Sequence, residues 1–436
     1  MSESIQIGIL GLGNVGSGVL SILLQNGDML EKRAGRPLVV TKALVKDAKK
    51  QRDFSLGACQ LVGSAQDILQ DPNIEIVVEA MGGEYPAYDY ICEALRQGKY
   101  VVTANKEVVS KHKKTFFELA RTHQTDLYFE ASVGGGIPLI RSLKVGYAAN
   151  QMQSLYGILN GTTNYILTQI AEKSQPFDVA LKAAQELGFA EADPTMDVSG
   201  LDTAYKLSIL AAVAFKSEVQ ISDIYYEGIE KITLQDINYA KELGYAIKLL
   251  AIGQRCENRG LSFRVHPTMV PLSHTLAHVR NELNAVFMVG DMVGEAMLLG
   301  RGAGSLPTGS AVVSDIVDIV FDLAHNAKPT QRNLEPNYSA TTLVTIGDVQ
   351  SQFYVRLQVA DAPGTLAKLA AVFGQEQISL SKIIQKGMTG ADAELVIVTH
   401  SVLEKRMQAA LDSIKQLPEV RHLLACIRVG LDETKA

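Results

Sequence analysis

The chain has 436 residues, 47% of them hydrophobic and 20% charged, with a formal net charge of −6 at pH 7. This length exceeds one ordinary domain, so about three domains are expected. The mild acidity provides no basic surface for nucleic acid, and the longest strongly apolar run, residues 207–215, is too short to cross a bilayer. We therefore expect neither a nucleic-acid partner nor a membrane segment.

Two features indicate the compartment. Residues 1–4 lack the positive start of a secretory signal and lead directly into an apolar segment. The cysteines have no paired spacing, which favours reduced thiols over disulfides or a zinc cluster. They are Cys59, Cys92, Cys256 and Cys426. The sequence thus predicts a cytoplasmic protein.

The first predicted element is a strand, Ser4–Leu10, that ends in a glycine-rich turn. The turn reads Gly-Leu-Gly-Asn-Val-Gly and precedes a helical pattern that continues to about Leu30. In this context the first glycine permits a tight turn, the second lets the backbone approach a pyrophosphate, and the third allows close packing of helix on strand. A glycine turn without a ligand is the alternative. The pattern favours a dinucleotide held by Gly11, Gly13, Asn14, Val15 and Gly16.

A second predicted strand, Leu38–Val45, ends at Lys46 and Asp47. Enzymes that use NAD are expected to have an acid here, which reads the ribose hydroxyls. A lysine comes first instead, and it could accept the 2′-phosphate of NADP, while Asp47 could still hold NAD. The alternative is a solvated basic turn. Val45 and Lys46 are therefore candidate cofactor residues, with NADP favoured and NAD left open.

Further strands are predicted at Ile74–Glu79 and Tyr100–Thr103, with a helix at Ala87–Gln97 between them. This alternation is typical of a doubly wound α/β sheet, whose ligands bind at the carboxyl ends of the strands. Thr103 and Lys106 stand at such an end and are candidates for the site. An ordinary surface lysine at the start of a helix is the alternative for Lys106.

The next segment combines a carboxylate with a flexible turn. Leu127–Glu130 reads as a strand, and residues 131–138 follow it with three consecutive glycines. A carboxylate followed by main-chain carbonyls at flexible positions is one way to hold a hard cation. An exposed turn is the alternative.

The middle of the chain contains an anomalous lysine. Asp202 and Lys206 are four residues apart on one predicted helical face, and the apolar run 207–215 follows them. A lysine in such surroundings is expected to be partly desolvated, which lowers its pKa and lets it exchange protons near neutral pH. This is the chemistry of a general acid or base.

Other elements frame this helix. A strand is predicted at Ser154–Leu159, before a turn whose hydroxyls could cap a helix near Tyr165. Later β-rich stretches at Ile247–Gln254 and Leu261–Pro267 indicate a mixed sheet with helices. A second glycine-rich loop at residues 300–309 precedes an apolar helix, Ser310–His325, that is expected to return to the nucleotide domain.

The C-terminal part has its own pattern. Residues 326–351 are polar and read as a linker. The order strand, helix, strand, strand, helix, strand in the following eighty or so residues predicts a ferredoxin-like module. The predicted elements are Phe353–Val359, Thr365–Gln375, Ile378–Ile384, Ala393–His400, Val402–Gln416 and Val420–Val429.

The segment 184–206 carries the most specific signal. It reads Ala-(three)-Gly-Phe-Ala-(two)-Asp-Pro-(two)-Asp-Val-(one)-Gly-(one)-Asp-(three)-Lys, which is similar, without a gap, to the signature of homoserine dehydrogenases. With the other motifs, essentially the whole chain resembles the single-function bacterial type with a C-terminal ACT domain. The resemblance implies reversible NAD(P)H-dependent reduction of L-aspartate 4-semialdehyde to L-homoserine, in threonine, methionine and isoleucine biosynthesis, by a homodimer or homotetramer.

The same resemblance implies roles for individual residues. Lys206 is similar to the proton-transferring lysine, and Lys106 to a second active-site lysine. We expect the two lysines to depress each other's proton affinity. The acids expected to bind substrate are Glu191, Asp197 and Asp202. Gly188 and Gly304 resemble residues at the cofactor, and a sodium ion is implied at Glu130, Val133, Gly135 and Ile137.

The C-terminal module resembles ACT domains, which bind amino acids at interfaces between modules. Its turn Asp361–Gly364 matches their start, and threonine is the effector that the family implies. One departure bears on this: where many such domains read Gly-Ile-Asn, this chain has Gln-Ile-Ser at 377–379. A hydroxyl thus replaces an amide that commonly helps to bind the effector.

The predicted fold class is α/β, with a Rossmann-type nucleotide domain at 1–134 that 305–330 completes, and a mixed α+β domain at 135–304 for substrate binding, catalysis and dimerisation. A linker at 331–350 and an ACT domain at 351–436 follow.

A semialdehyde dehydrogenase would require a cysteine nucleophile in a glycine-rich turn or beside a histidine, which the sequence lacks. A 2-hydroxy-acid dehydrogenase would require an active-site arginine and histidine, which have no evident place. A non-catalytic sensor of NADP and an amino acid is the alternative that remains.

Overall fold

The structure, a computed structural model, describes residues 4–256, 260–324, 342–389 and 392–431. Most of the predicted linker lies outside these residues. The helices are α1 (Asn14–Gln25), α2 (Gly27–Ala34), α3 (Gln66–Leu69), α4 (Ala87–Arg96), α5 (Lys106–Thr122), α6 (Leu139–Arg141), α7 (Gly161–Lys173), α8 (Phe177–Glu186), α9 (Thr195–Val198), α10 (Leu201–Phe215), α11 (Leu234–Glu242), α12 (Ser305–Ala324), α13 (Thr365–Gln375) and α14 (Glu404–Ile414).

The strands are β1 (Ile5–Leu10), β2 (Leu38–Leu44), β3 (Gln60–Val62), β4 (Ile74–Glu79), β5 (Tyr100–Thr103), β6 (Leu127–Tyr128), β7 (Met152–Ile158), β8 (Tyr225–Tyr226), β9 (Tyr245–Cys256), β10 (Gly260–Pro271), β11 (Leu283–Gly290), β12 (Gly294–Arg301), β13 (Gln350–Ala360), β14 (Leu380–Thr389), β15 (Asp392–Thr399), β16 (Val402–Leu403) and β17 (Val420–Val429).

The N-terminal strands form a parallel sheet in the order β3-β2-β1-β4-β5-β6. This order confirms the predicted doubly wound nucleotide fold, in which ligands bind where the strand order reverses, here between β1 and β4. The central strand β1 is apolar because it is buried on both faces: Ile5, Ile7 and Ile9 on one face and Leu10 on the other have no exposed surface.

Helices α1 and α12 pack closely against each other on this sheet. Gly18 and Gly309 meet at their crossing, where a Cβ added to Gly309 would lie 2.9 Å from the carbonyl carbon of Gly18. The predicted helix to Leu30 is in fact two helices, because the Asn-Gly pair at 26–27 favours a turn. Helix α12 begins five residues earlier than predicted, after Gly304 with φ of +120°.

The second sheet is mixed and contains the order β12-β11-β7-β9-β10-β17-β13-β15-β14. Strands β11 and β12 were not predicted, and β12 replaces the beginning of the predicted loop at 300–309. Helix α7 begins at Gly161 rather than near Tyr165. The side-chain oxygen Oδ1 of Asn160, not a hydroxyl, caps it by accepting a hydrogen bond from the backbone N–H of Thr163.

The C-terminal module has the predicted ferredoxin-like order β13-α13-β14-β15-α14-β17, with a short strand β16 before α14. It has a core of its own, between its sheet and its two helices. Its last strand, β17, pairs in parallel with β10, with Thr268 opposite Arg428. One sheet therefore continues from the middle of the chain into the module.

Within the described ranges, no helix has the length and apolar character needed to cross a bilayer.

Candidate active site

Two lysines from different helices share one buried carboxylate. Lys206 Nζ lies 2.7 Å from Asp202 Oδ2, one turn away on α10. Lys106 Nζ, at the start of α5, lies 2.8 Å from Asp202 Oδ1. Lys206 also donates a hydrogen bond to the carbonyl oxygen of Leu159, at 2.6 Å. The carboxylate thus orients both ammonium groups at the carboxyl edge of the nucleotide sheet.

The charges in this cluster stabilise the ionised forms of their neighbours. Burial pushes the pKa of Asp202 upward, but the two ammonium groups outweigh burial and hold this pKa well below its usual range. The negative charge of Asp202 in turn raises the pKa of Lys106, against the effect of burial. The expectation that the two lysines depress each other's proton affinity is therefore wrong for Lys106, because a carboxylate lies between them.

Asn160 joins a second acid to the cluster. Its Nδ2 donates to Asp202 Oδ2 at 2.9 Å and to Asp197 Oδ1 at 2.7 Å. Burial and the neighbouring charge of Asp202 raise the pKa of Asp197. The sequence pattern predicted a helix cap from the hydroxyls of this turn and gave no role to Asn160. The side-chain oxygen of Asn160 is the cap, and its side-chain nitrogen binds carboxylates that lie far away in the chain.

A buried hydroxyl pair holds the two lysine-bearing helices together. Ser110 on α5 and Ser208 on α10 lie 2.5 Å apart, oxygen to oxygen, and both are buried. Each serine is within four residues of its helix's active-site lysine. The pair therefore fixes the position of α5 against α10.

The glycine turn has the form that a phosphate requires. Gly11 has φ of +98°, and a Cβ on Gly16 would lie 2.1 Å from the Gly11 carbonyl oxygen. Gly13 is exposed, with no atom within 4 Å of an added Cβ. Helix α1 begins at Asn14 without a side-chain cap and without an acid in its first turn. Its free amides and positive dipole end therefore fit a pyrophosphate.

The other predicted cofactor residues differ in their exposure and contacts. Val45 is buried just after β2, and Lys46 beside it is exposed. Thr103 is fully buried, and its hydroxyl donates to Glu79 Oε2 at 2.6 Å. Gly188 is exposed with φ of +76°, and Gly304 precedes α12.

The predicted substrate acid Glu191 is exposed, in the loop between α8 and α9. Its negative charge contributes to raising the pKa of Lys106, as does that of Asp197. The structure thus brings Lys106, Asp197, Asp202 and Lys206 together, with Glu191 within electrostatic reach of them.

The predicted cation residues form a tight turn. Glu130 is buried, and its carboxylate accepts hydrogen bonds from the amides of Ile140 at 2.8 Å and Arg141 at 2.7 Å. Gly135, with φ of +55°, packs against the backbone of Gly302. In the described part of the chain, no cluster of three or more His, Cys, Asp or Glu side chains could hold a metal ion.

A parallel nucleotide sheet, a phosphate-binding turn and an oriented lysine at its carboxyl edge together define an NAD(P)-dependent oxidoreductase. Family models agree with this class: the description "Homoserine dehydrogenase, NAD binding domain" matches residues 11–130, "Homoserine dehydrogenase" matches 138–317 and "ACT domain" matches 353–419.

Similar proteins extend the match to the whole chain. A homoserine dehydrogenase of Bacillus subtilis is 39% identical over 98% of each chain, and one of Synechocystis is 42% identical over 98% of this chain and 99% of its own. The crystal structure of a homoserine dehydrogenase from Thiobacillus denitrificans aligns with a TM-score of 0.93 and 41% identity, over 98% of both chains. The chain belongs to the homoserine dehydrogenase family.

Proposed function

We propose that Lys206 exchanges a proton with the substrate oxygen when L-homoserine and L-aspartate 4-semialdehyde are interconverted. The observation that carries this proposal is the carboxylate of Asp202, which lies between the ammonium groups of Lys206 and Lys106. A proton donor must be held in one orientation, and hydrogen bonds to Leu159 and Asp202 hold Lys206 so.

The charges of the cluster suit the chemistry of an alcohol and an aldehyde. A bound nicotinamide supplies hydride exchange at the carbinol carbon. The carbonyl oxygen gains negative charge during reduction, and two fixed ammonium groups stabilise it. Asp202 remains ionised because both lysines hold its pKa down. When Lys206 gives its proton to the oxygen, the group of three side chains changes from a net positive charge to neutral.

The remaining acids are placed to bind the amino-acid end of the substrate. Asp197 and Glu191 both contribute to raising the pKa of Lys106, so both carboxylates lie within electrostatic reach of its ammonium group. We assign them to the substrate ammonium, with Gly188 on the adjacent loop toward the nicotinamide end. Asn160 holds Asp197 and Asp202 in a fixed relation through a single amide nitrogen.

The end of β2 favours NADP over NAD. The Asp47 carboxylate accepts a hydrogen bond from the Lys49 amide at 2.8 Å, in its own turn. Arg52 is likewise bonded to the carbonyls of Lys50 and Asp47. Lys46 is exposed beside the crevice, where its ammonium can meet a 2′-phosphate.

Steady-state oxidation of homoserine with NADP and with NAD, each with and without threonine, tests the function and the cofactor together. We expect a higher kcat/KM for NADP. Lys46→Ala should lower kcat/KM for NADP by about tenfold, the effect of one charged hydrogen bond, and leave the value for NAD within about twofold. Lys32→Ala, at an exposed lysine on α2, is the matched control. Equal losses for both nucleotides, or a wild-type preference for NAD, would contradict the assignment.

The turn after β6 fits a sodium ion. No described hydrogen bond reaches the carbonyl oxygens of Val133 and Gly135, and that of Ile137 accepts only the Leu139 amide at 2.8 Å. Burial raises the pKa of Glu130, which a neighbouring cation would offset. We assign the ion to Glu130 and these three carbonyls, where it would order the turn that packs on Gly302.

The sites fall in three proposed units: a nucleotide domain at 1–134 completed by 305–330, a catalytic and dimerisation domain at 135–304, and, after a linker at 331–350, a regulatory domain at 351–436. We propose an amino-acid effector, with threonine as the first to test, at the regulatory domain. A homodimer or homotetramer in the cytoplasm, serving threonine, methionine and isoleucine synthesis, completes the proposal. The four cysteines are free thiols, in accord with a reducing compartment.

A sensor that binds NADP and an amino acid without catalysis is the rival hypothesis. It gives no reason for a buried carboxylate to orient two lysines at the carboxyl edge of the sheet. Homoserine-dependent formation of NADPH, seen as absorbance of the nicotinamide, separates the two, because a sensor would bind both ligands without any such change.

A further inference from the structure

One arginine on the last strand of the C-terminal module contacts the catalytic half of the molecule. Arg428 on β17 is buried, and all three nitrogens of its guanidinium donate to two acids. Nη1 donates to Glu227 Oε2 at 3.0 Å, while Nε and Nη2 donate to the two oxygens of Glu404 at 3.0 and 2.6 Å. Glu404 belongs to the module's own helix α14, whereas Glu227 follows β8 of the catalytic half.

Glu227 is held in place from several sides. Its carboxylate also accepts a hydrogen bond from the Tyr225 hydroxyl at 3.0 Å, and the Arg428 guanidinium lies 5.1 Å from the centre of the Tyr225 ring. Its amide donates to the carbonyl oxygen of Val265 on β10, at 2.8 Å. The same strand β10 pairs with β17 beside Arg428. The position of Glu227 is therefore tied to that of the module.

The backbone after Glu227 packs directly against the end of α9 and the loop between α9 and α10. The Ile229 amide donates to the Val198 carbonyl oxygen at 2.8 Å. A Cβ added to Gly228 would lie only 1.9 Å from that oxygen, so no side chain fits between the two segments. On the other side, a Cβ added to Gly200, whose φ is +86°, would lie 3.1 Å from the Glu227 carbonyl oxygen.

This loop joins the two acids of the active site, Asp197 in α9 and Asp202 in the first turn of α10. Val198 directly follows Asp197, and Gly200 is two residues before Asp202. Both carboxylates must keep their place, since Asn160 bonds them through a single nitrogen and Asp202 orients two lysines. A displacement of about 1 Å in a catalytic group can cost about a hundredfold in rate.

We infer that Glu227 is a positioning residue, which anchors the loop between Asp197 and Asp202 to Arg428 and so makes substrate binding depend on the arrangement of the C-terminal module. The inference rests on the proposed function, because it takes Asp197 and Asp202 as the acids that face the substrate. The module acts on this site from β17 through Arg428 and Glu227 to the loop.

The experiment compares the two acids that share Arg428, in the full-length enzyme. Glu227→Ala should raise the KM for homoserine by about fivefold, since its backbone bonds remain and the loop shifts by well under about 1 Å, while the nucleotide KM stays within about twofold. Glu404→Ala removes the other partner of the same guanidinium but touches no part of the loop. It should lower Tm at least as much as Glu227→Ala and leave the homoserine KM within about twofold.

An unchanged homoserine KM in Glu227→Ala would overturn the inference, as would equal changes in the two variants or a parallel rise in the nucleotide KM. If Glu227→Ala does not fold, the isosteric Glu227→Gln takes its place, with a smaller rise in the homoserine KM expected and no rise again overturning the inference. Failure of the proposed function is distinguishable, because it would show as absence of homoserine oxidation in the wild type or full activity without Lys206.

Discussion

Replacing Lys206 with alanine is expected to slow homoserine oxidation by at least about a hundredfold, the low end for loss of a general acid or base. The fold should survive the change. Asp202 keeps Lys106 and Asn160 as partners, so its buried charge remains compensated. The nucleotide turn belongs to another part of the molecule and should bind NADPH as before.

Three measurements separate catalysis from folding in this variant: turnover, NADPH affinity from nicotinamide fluorescence, and Tm. Lys206→Met, which keeps the length of the side chain, should be as inactive as Lys206→Ala. Lys182→Ala, at an exposed lysine of α8, controls for the loss of one positive charge in the same half of the molecule. Near-normal turnover in Lys206→Ala would end the assignment of this residue.

Asp236→Ala is expected to lower the free energy of unfolding by about 3–5 kcal/mol, the cost of removing one partner of a buried ion pair. Asp236 on α11 is fully buried, and its Oδ1 accepts a hydrogen bond from Arg356 Nε of the C-terminal module at 2.8 Å. Arg356 Nη2 donates to Asp236 Oδ2 at 3.1 Å. The second carboxylate beside Arg356, that of Glu394, is bonded through Nη1 only, at 3.1 Å.

A second ion pair across the same junction serves as the matched control. Glu242, six residues after Asp236 and the last residue of α11, contacts Lys386 of β14, and more than half of the Glu242 side chain is exposed. Its loss in Glu242→Ala should cost no more than about 1 kcal/mol, because exposed ion pairs contribute little. Urea unfolding followed by circular dichroism measures both variants. Equal, small losses in the two would show that the buried pair does not stabilise the junction.

Features that depend on neighbouring residues in the chain were predictable from the sequence. The glycine turn after β1 has a fixed relation to the strand and helix that flank it, and Asp202 and Lys206 share a helical face through their spacing. These local rules give the nucleotide fold and the central ion pair. The ferredoxin-like order of the C-terminal module follows in the same way from alternating patterns.

Features that join distant parts of the chain were not predictable from such patterns. The pairing of β10 with β17 involves two residues of each strand, which leaves no trace in periodicity. The turn at Asn160 reads as a helix cap formed by hydroxyls, and the hydrogen bonds of the Asn160 side-chain nitrogen depend on carboxylates 37 and 42 residues away. The pKa of Lys106 was expected to fall, and it rises because the fold places Asp202 beside it.

The central claim is that Lys206, oriented by Asp202, meets the oxygen on which the reaction takes place. A crystal structure of the enzyme with NADP and homoserine bound tests this most directly. The account predicts the homoserine hydroxyl within hydrogen-bond distance of Lys206 Nζ, about 2.6–3.2 Å, with Asp202 still bonded to both lysines. A hydroxyl beyond the reach of Lys206, contacting only Lys106 or solvent, would contradict it.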